Sequence, residues 1–223
     1  MEIYGDYQTS VIKALTEIDK NWRNYKGLII CGSHNPCDIE FLINKIKEAR
    51  ENNIPFLGIC WGMQLMIIEL FKNIFNFNDA NTEELEPNSN HLIFIKLSKV
   101  RVGIQKVNGK NESHWHNYVF NNKYRNILNK DYLHILFEDD ILEYASNKNN
   151  SFFKGVQYHP EYNSSSDNPH PILKEFLNIC HFKKDINGLK NKERNVEIHQ
   201  KDESRGIKGL KMFLNILKRL KIK

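Results

Sequence analysis

Cys60 stands between two glycines in the stretch GICWGMQ, after an apolar run and before an amphipathic one. A strand, Gly-x-Cys-x-Gly and a helix form the pattern of a nucleophile elbow, a sharp turn that exposes its central side chain and needs small neighbours for clearance. At a helix N-terminus, the helix dipole and the free N–H groups favour a thiolate. We therefore interpret Cys60 as a nucleophile; the alternative is a buried structural cysteine beside two chance glycines.

A second motif, FFKGVQYHPEYN, could supply the base that such a thiol needs. His159 and Glu161 are two residues apart, and on a strand side chains at that spacing project from the same face. An acid beside an imidazole holds its tautomer and supports the imidazolium, as in other nucleophile–base–acid triads. The motif alone is equally compatible with a turn after a strand. Together with the thiol, it predicts a Cys60-His159-Glu161 triad.

The elements around these motifs predict an α/β fold. The segments KGLIICG (26–32) and IPFLGI (54–59) are continuous apolar runs, which are typical of strands buried on both faces. A helix is predicted between them, with Asn35 as its cap and Pro36 at its first position, and another helix follows Cys60. Alternating strands and helices indicate a parallel sheet.

The second half of the chain has a different pattern. The stretches HLIFIKL, VRVGIQKV, YLHILFED and FFKGVQYH are separated by Asn-rich turns, and we expect them to form an antiparallel extension of the sheet. Residues 183–205 are polar and predict a linker, and residues 206–223 predict a basic amphipathic helix. The sequence thus predicts a domain over residues 1–182, followed by a helix that could pack on it, dock on a partner or lie on an anionic membrane surface.

Composition and charge narrow the possible functions. The chain has 223 residues, of which 40% are hydrophobic, so it can build a substantial core. From Lys183 onward it has 13 Lys and Arg against 5 Asp and Glu, whereas residues 1–182 have 19 against 22. This argues against a nucleic-acid reader, whose basic patch lies on its folded body. Cysteines without a C-x-x-C pair, and the lack of a signal or membrane-length apolar run, favour the cytoplasm.

The stretches GLIICG, ENNIPFLGICWGMQLMIIEL and FFKGVQYHPEY resemble the class I (triad) glutamine amidotransferases, in particular the glutaminase domain of CTP synthase. NDANTEELEP and ESHWHNYVFNNKYRNIL extend the likeness over about residues 26–182. The resemblance implies a three-layer α/β fold, with a mostly parallel central sheet, helices on both faces and a small antiparallel extension. It also implies that Cys60 attacks the side-chain amide of glutamine, forming a γ-glutamyl thioester and releasing ammonia. His159, oriented by Glu161, would protonate the leaving nitrogen and later activate water.

For the oxyanion hole, the resemblance implies the backbone N–H groups near Ser33 and of Trp61. Gly32 precedes Ser33 in the same loop and is counted with the substrate-binding residues. The family has Gly-Gly where this chain has Gly32-Ser33. A non-glycine residue still offers its N–H, but its turn geometry is less permissive.

For the substrate, the resemblance implies contacts from Gln64, from Glu84 to the substrate ammonium, and from the backbone of Tyr118. At Asn117 the chain departs from the family, which has an arginine there that pairs with the substrate α-carboxylate. Loss of that partner would weaken glutamine binding by roughly 1.5–3 kcal/mol. Either another cation replaces it, or free glutamine is not the substrate.

His114 and His116 are the nearest candidates in sequence for such a replacement. Their spacing would also suit a pair of metal ligands on a strand, but no third ligand of suitable spacing accompanies them. We therefore predict no metal and no cofactor.

These observations predict a free-standing glutaminase that supplies ammonia to a separate synthetase, because no Gly-rich phosphate loop occurs in the chain. Two alternatives remain. One is a hydrolase of an N-substituted or otherwise modified γ-glutamyl amide, which Asn117 motivates. The other is a non-catalytic binding module that has inherited the fold.

Overall fold

The computed structural model of the protein describes residues 1–34, 38–128 and 131–183. Met1–His181 form one compact unit and Phe182–Lys223 a second, of which only the first two residues are described. The predicted C-terminal helix (206–223), and the predicted linker (183–205) apart from its first residue, lie outside the described residues. Within the described part, no helix has both the length and the apolar character needed to cross a membrane.

The first unit contains nine strands and four helices among its described residues. In chain order they are β1 (Glu2–Tyr4), α1 (Gln8–Ile18), β2 (Leu28–Ile30), α2 (Ile39–Glu51), β3 (Phe56–Ile59), α3 (Trp61–Asn73), β4 (Ala80–Thr82), β5 (His91–Val107), β6 (Lys110–Phe120), β7 (Leu133–Glu138), β8 (Ile141–Asn147), β9 (Phe153–Val156) and α4, which begins at residue 171. The predicted cap and first residue of α2, Asn35 and Pro36, lie outside the described residues.

A six-stranded sheet with the order β1-β2-β3-β9-β8-β7 forms the centre of this unit. The strands β1, β2, β3 and β9 are parallel, and β8 and β7 are antiparallel to their neighbours. The predicted fold class, a mostly parallel sheet with a small antiparallel part, is therefore confirmed.

Side chains on β2 show why the fold has three layers. Leu28 and Ile30 belong to the core beneath α2 and α3, whereas Ile29 belongs to the core beneath α1 and α4. Successive side chains of a strand point to opposite faces, so a strand that is covered on both faces must be apolar throughout. The continuous apolar runs of β2 and β3 thus result from helices on both sides of the sheet.

Part of the prediction for the second half was wrong. The stretches HLIFIKL and VRVGIQKV both belong to β5, whose register with β6 shifts between Lys96 and Arg101. Together with β4, these strands form a separate three-stranded sheet. The stretch FFKGVQYH contributes β9, which lies inside the main sheet and runs parallel to β3. The partner of a strand is set by long-range packing, and local alternation of residues does not encode it.

A buried ion pair joins the two helices on one side of the sheet. Arg50 of α2 donates from Nε and Nη2 to the carboxylate of Glu69 of α3, at 2.7–3.1 Å. The Glu69 side chain is fully buried. Burial raises the pKa of Glu69, against the opposing effect of Arg50.

Candidate active site

Cys60 lies in a tight turn between the end of β3 and the first residue of α3, with φ 52° and ψ −104°. This is a strained conformation for a residue with a side chain. The flanking glycines are required by close packing: a Cβ on Gly62 would lie 1.8 Å from the carbonyl oxygen of Ile30, and one on Gly58 would lie 2.6 Å from the Gly62 carbonyl. The turn therefore has the geometry predicted for a nucleophile elbow.

His159 and Glu161 are in direct contact, but not through the predicted strand geometry. β9 ends at Val156, and a 3₁₀ turn follows at Pro160–Asn163. Nδ1 of His159 lies 2.8 Å from Oε1 of Glu161, and both side chains are buried. The N–H of His159 donates to the carbonyl of Ser113 on β6 (2.8 Å), which fixes the backbone at this point.

The protonation of His159 depends on both of its neighbours. Burial lowers its pKa, but interactions with the Cys60 sulfur and the Glu161 carboxylate outweigh this effect and raise the pKa to about 10. Nε2 of the ring is buried and makes no directional hydrogen bond within the described part of the chain. Since Nδ1 is bound to Glu161, Nε2 is the nitrogen that can exchange a proton with a group held at Cys60.

Gln157, which the sequence analysis missed, contacts the sulfur directly. Its Nε2 lies 3.6 Å from Sγ of Cys60, and the carbonyl oxygen of Trp115 lies 3.7 Å from the same sulfur. Its Oε1 accepts from Nε2 of Gln64, which also donates to the carbonyl of Tyr118, both at 3.3 Å. Gln157 is fully buried, and a polar residue at the apolar end of a buried strand was the signal that could have found it.

The loop predicted to form the oxyanion hole is held from the N-terminal segment. The carboxylate of Asp6 accepts the hydroxyl of Ser33 and the N–H of His34, each at 2.8 Å. A Cβ on Gly32 would lie 3.0 Å from Cε1 of His159, so this glycine leaves room for the imidazole. Trp61 is the first residue of α3, and its N–H is one of those that no carbonyl of the same helix can accept.

A small open cleft lies at the sulfur. Its lining includes seven of the residues predicted from the sequence: Ser33, Cys60, Trp61, Gln64, Glu84, Asn117 and Tyr118. His116, a candidate replacement for the arginine, also lines it, as do His34 and Trp115, which were not predicted as site residues. Burial raises the pKa of Glu84, and such a carboxyl group would gain from a cationic ligand. The cleft thus brings Cys60 together with a carboxyl group that suits an ammonium ligand.

The two histidines do not replace the missing arginine. Burial, followed by the positive charge of Arg101, lowers the pKa of His114 to about 3. Burial is also the main cause that lowers the pKa of His116 to about 4. Both are neutral at pH 7, so the suggestion that either supplies a cation is wrong. Arg101 itself is paired with buried Glu143. Among the described residues, no group of three His, Cys, Asp or Glu side chains could hold a metal ion.

Comparison with known proteins shows the family of the chain. The sequence matches the family described as glutamine amidotransferase class-I over residues 4–179. The chain belongs to this family. Among curated class I relatives, it is 35% identical over 194 residues to the CTP synthase of Sulfolobus acidocaldarius, covering 75% of this chain and 36% of that protein. It is 34% identical over 195 residues to the CTP synthase of Sulfurisphaera tokodaii, covering 76% and 36%. The matched part spans about a third of these relatives' length.

A solved class I structure shows the same fold. The glutaminase domain of Trypanosoma brucei CTPS, with bound acivicin, superposes with a TM-score of 0.68 at 22% identity. The match covers 79% of this chain and 91% of that one.

Proposed function

We propose that the protein hydrolyses the side-chain amide of L-glutamine through a Cys60-His159-Glu161 triad, releasing glutamate and ammonia. The observation that carries the proposal is the buried imidazole of His159, which contacts Glu161 at 2.8 Å and has its pKa raised by Cys60 as well as by Glu161. A protonated imidazole between a sulfur and a carboxylate is the arrangement of a thiol nucleophile, its acid–base group and the residue that orients it.

The proposed reaction has two halves. In the first, the Cys60 thiolate attacks the δ-carbon of glutamine, and a carbon–sulfur bond forms. The carbon–nitrogen bond then breaks as His159 gives its Nε2 proton to the leaving nitrogen, which departs as ammonia. In the second, water attacks the thioester and gives a proton to His159, the carbon–sulfur bond breaks, and glutamate leaves. The thiolate and the imidazolium are thereby restored.

Two further groups support the tetrahedral intermediates of this reaction. The N–H of Trp61, with that of Ser33, would donate to the developing oxyanion, and one such donor is worth about 3–4 kcal/mol. Gln157 would keep the sulfur in place, because its Nε2 donates to Sγ at 3.6 Å. The same side chain is itself positioned by Gln64.

The ammonia is proposed to pass to an acceptor enzyme outside this chain. The curated relatives are CTP synthases about three times as long as the matched segment, which supports a synthetase as the acceptor. Cys31 and Cys60 are thiols in the structure, which supports a reducing compartment, and we propose the cytoplasm.

A second candidate keeps the chemistry and changes the substrate. Asn117 lines the cleft in place of the family's arginine, and neutral His116 beside it supplies no positive charge. A γ-glutamyl amide whose α-carboxylate is modified, or whose amide nitrogen is substituted, would depend less on that charge.

The test is mass spectrometry after exposure of the protein to a diazo-ketone analogue of glutamine, combined with an assay for glutamate release. We expect a single adduct on Cys60, absent from Cys60→Ala, and glutamate release at millimolar glutamine. Adduct formation without glutamate release would favour the second candidate. Glutamate release that persists in Cys60→Ala would contradict the proposed nucleophile.

A further inference from the structure

Two aromatic rings contact His159, and two more extend the group from Tyr7. The ring of Tyr162 stacks on that of His159 at 5.4 Å between centroids, and Tyr7 meets it edge-on at 5.6 Å. Tyr7 also contacts His34 at 5.3 Å and Trp115 at 6.5 Å, and His34 contacts Trp115 at 5.1 Å. We call these four residues, Tyr7, His34, Trp115 and Tyr162, the ring cluster.

The ring cluster is assembled from four separate segments. Tyr7 precedes α1, His34 follows the loop after β2, Trp115 belongs to β6, and Tyr162 belongs to the 3₁₀ turn after β9. Trp115 and Tyr162 are nevertheless 49% and 46% exposed. Contiguous exposed aromatic surface is uncommon on a soluble domain and marks contact with a ligand or partner.

The position of the ring cluster relative to the sulfur is fixed by two contacts. The carbonyl oxygen of Trp115 lies 3.7 Å from Sγ of Cys60, so the residue that carries this indole is a direct neighbour of the nucleophile. Tyr7 and Tyr162 contact the ring of His159 directly. These rings therefore lie close to the reacting atoms.

The order of bonds in a γ-glutamyl amide determines which part of it would contact the ring cluster. The amino-acid end of a γ-glutamyl amide would occupy the cleft lined by Glu84 and Tyr118, and His159 is not among the residues that line that cleft. The leaving nitrogen must lie beside Nε2 of His159, the buried nitrogen that has no hydrogen-bond partner among the described residues. Any substituent on that nitrogen must extend past His159, along the rings that contact it.

We propose that the ring cluster is a leaving-group subsite, and that the preferred substrates are γ-glutamyl amides of aromatic or arylalkyl amines. The inference rests on the proposed hydrolysis at Cys60. Aromatic faces carry negative electrostatic potential and attract apolar or cationic groups, and a substituent that bears a carboxylate is disfavoured there. Asn117 fits such a substrate, because binding energy from the substituent compensates for a weakly held α-carboxylate.

Hydrolysis of such an amide would follow the same two steps as hydrolysis of glutamine. The sulfur of Cys60 bonds to the γ-glutamyl carbon, the carbon–nitrogen bond breaks, and the nitrogen takes the Nε2 proton of His159 to leave as the free primary amine. Water then cleaves the thioester to glutamate and returns a proton to His159. No oxidant, metal or other co-reactant is needed.

The test compares three substrates with the full chain: glutamine, γ-glutamyl methylamide and γ-glutamyl benzylamide. Glutamate release reports kcat/KM for all three, and the benzylamide-to-methylamide ratio measures the subsite. We expect this ratio to exceed 10 in the wild type. It should fall about 5- to 10-fold in Trp115→Ala and in Tyr162→Ala, and recover in Trp115→Phe, because ring contacts of this kind are worth that factor. Ile104→Ala is the matched control, since it removes an exposed apolar side chain from the same hairpin, and it should leave the ratio unchanged.

The outcomes separate this inference from the proposed function. If glutamine and the methylamide are hydrolysed but the benzylamide is not preferred, or if Trp115→Ala and Tyr162→Ala leave the ratio unchanged, the subsite is wrong and the glutaminase stands. If none of the three substrates gives Cys60-dependent glutamate, the proposed function fails, and the inference fails with it. A carboxylate-bearing amide that outcompetes the benzylamide would overturn the proposed substrate class.

Discussion

Oε1 of Glu161 lies 2.8 Å from Nδ1 of His159 although a single residue, Pro160, separates the two in sequence. Pro160 stands at the first position of the 3₁₀ turn, where its fixed φ is already suited to the turn. The acid and the imidazole are therefore held by one short rigid segment. Only the approach of His159 to Cys60 depends on the packing of distant parts of the chain.

Glu161→Gln tests this pair through pH dependence. In the wild type, the raised pKa of about 10 keeps His159 protonated at neutral pH, and the proton is lost only as the pH rises through that value. Without the carboxylate charge, burial lowers the pKa, so the alkaline fall of kcat/KM should move to lower pH. We expect kcat/KM at pH 7 to drop about 10²-fold or more. Glutamate release measured from pH 6 to 11 checks both effects, and an unmoved alkaline limb would contradict the assignment.

Gln157→Met removes a buried donor to the sulfur while preserving side-chain size. A hydrogen bond to a charged group contributes about 1.5–3 kcal/mol, so alkylation of Cys60 by an electrophile should slow by roughly 10- to 100-fold. Gln8→Met, which changes an exposed glutamine at the start of α1, is the control and should react at the wild-type rate. Equal rates in all three proteins would show that Gln157 has no influence on the thiol.

Asn117→Arg restores the charge that the family carries at this position. If the α-carboxylate of glutamine lies beside residue 117, the new ion pair should lower KM for glutamine by about 10-fold or more. Asn117→Gln, which lengthens the side chain without a charge, separates charge from size. A KM that does not respond to the arginine would argue that the substrate carboxylate is absent or lies elsewhere.

Gly62→Ala tests the packing that supports the elbow. A Cβ here would lie 1.8 Å from the carbonyl oxygen of Ile30, so β2 and α3 must separate. We expect a loss of unfolding free energy above about 3 kcal/mol. Gly109→Ala meets no atom within 4 Å and carries only the cost of its φ of 76°, about 1 kcal/mol. Urea unfolding of both variants measures the difference, and similar losses would contradict the close contact.

The pair of Arg50 and Glu69 can be tested by a double-mutant cycle. Arg50→Met leaves a fully buried carboxylate without its partner and should cost about 3–5 kcal/mol, whereas Arg50→Met with Glu69→Leu should recover most of that loss. Lys13→Met breaks an exposed pair with Glu17 and should change stability by less than about 1 kcal/mol. Chemical denaturation of the wild type, Arg50→Met, Glu69→Leu and the double variant completes the cycle, with Lys13→Met as the control. A double variant no more stable than Arg50→Met would contradict the interpretation.

Local sequence was sufficient for the features that depend on local geometry. The elbow at Cys60 follows from glycines that the close contacts require, and β2 and β3 follow from apolar runs that helices cover on both faces. The proximity of His159 and Glu161 was predicted from strand alternation, but the structure achieves it at the start of a 3₁₀ turn, where His159 precedes the turn with a non-helical backbone.

Long-range features could not be predicted in this way. The central position of β9 depends on its pairing with β3, and the residues of FFKGVQYH do not specify which strand they pair with. The neutral state of His114 depends on burial and on Arg101, which lies on β5 opposite the neighbouring His116. Gln157 gains its importance only from the sulfur beside it, which lies 97 positions away in the chain.

The backbone at Cys60 has a thermodynamic consequence for the whole molecule. A positive φ on a residue with a side chain costs on the order of 1–3 kcal/mol, a sizeable part of the net stability of a domain of this size. Glycine at this position would relieve that cost and abolish the thiol, so mutational drift in an unused copy of this chain would favour the more durable and inert form. A cysteine at this turn therefore lowers the free energy of unfolding and provides the reactive thiol.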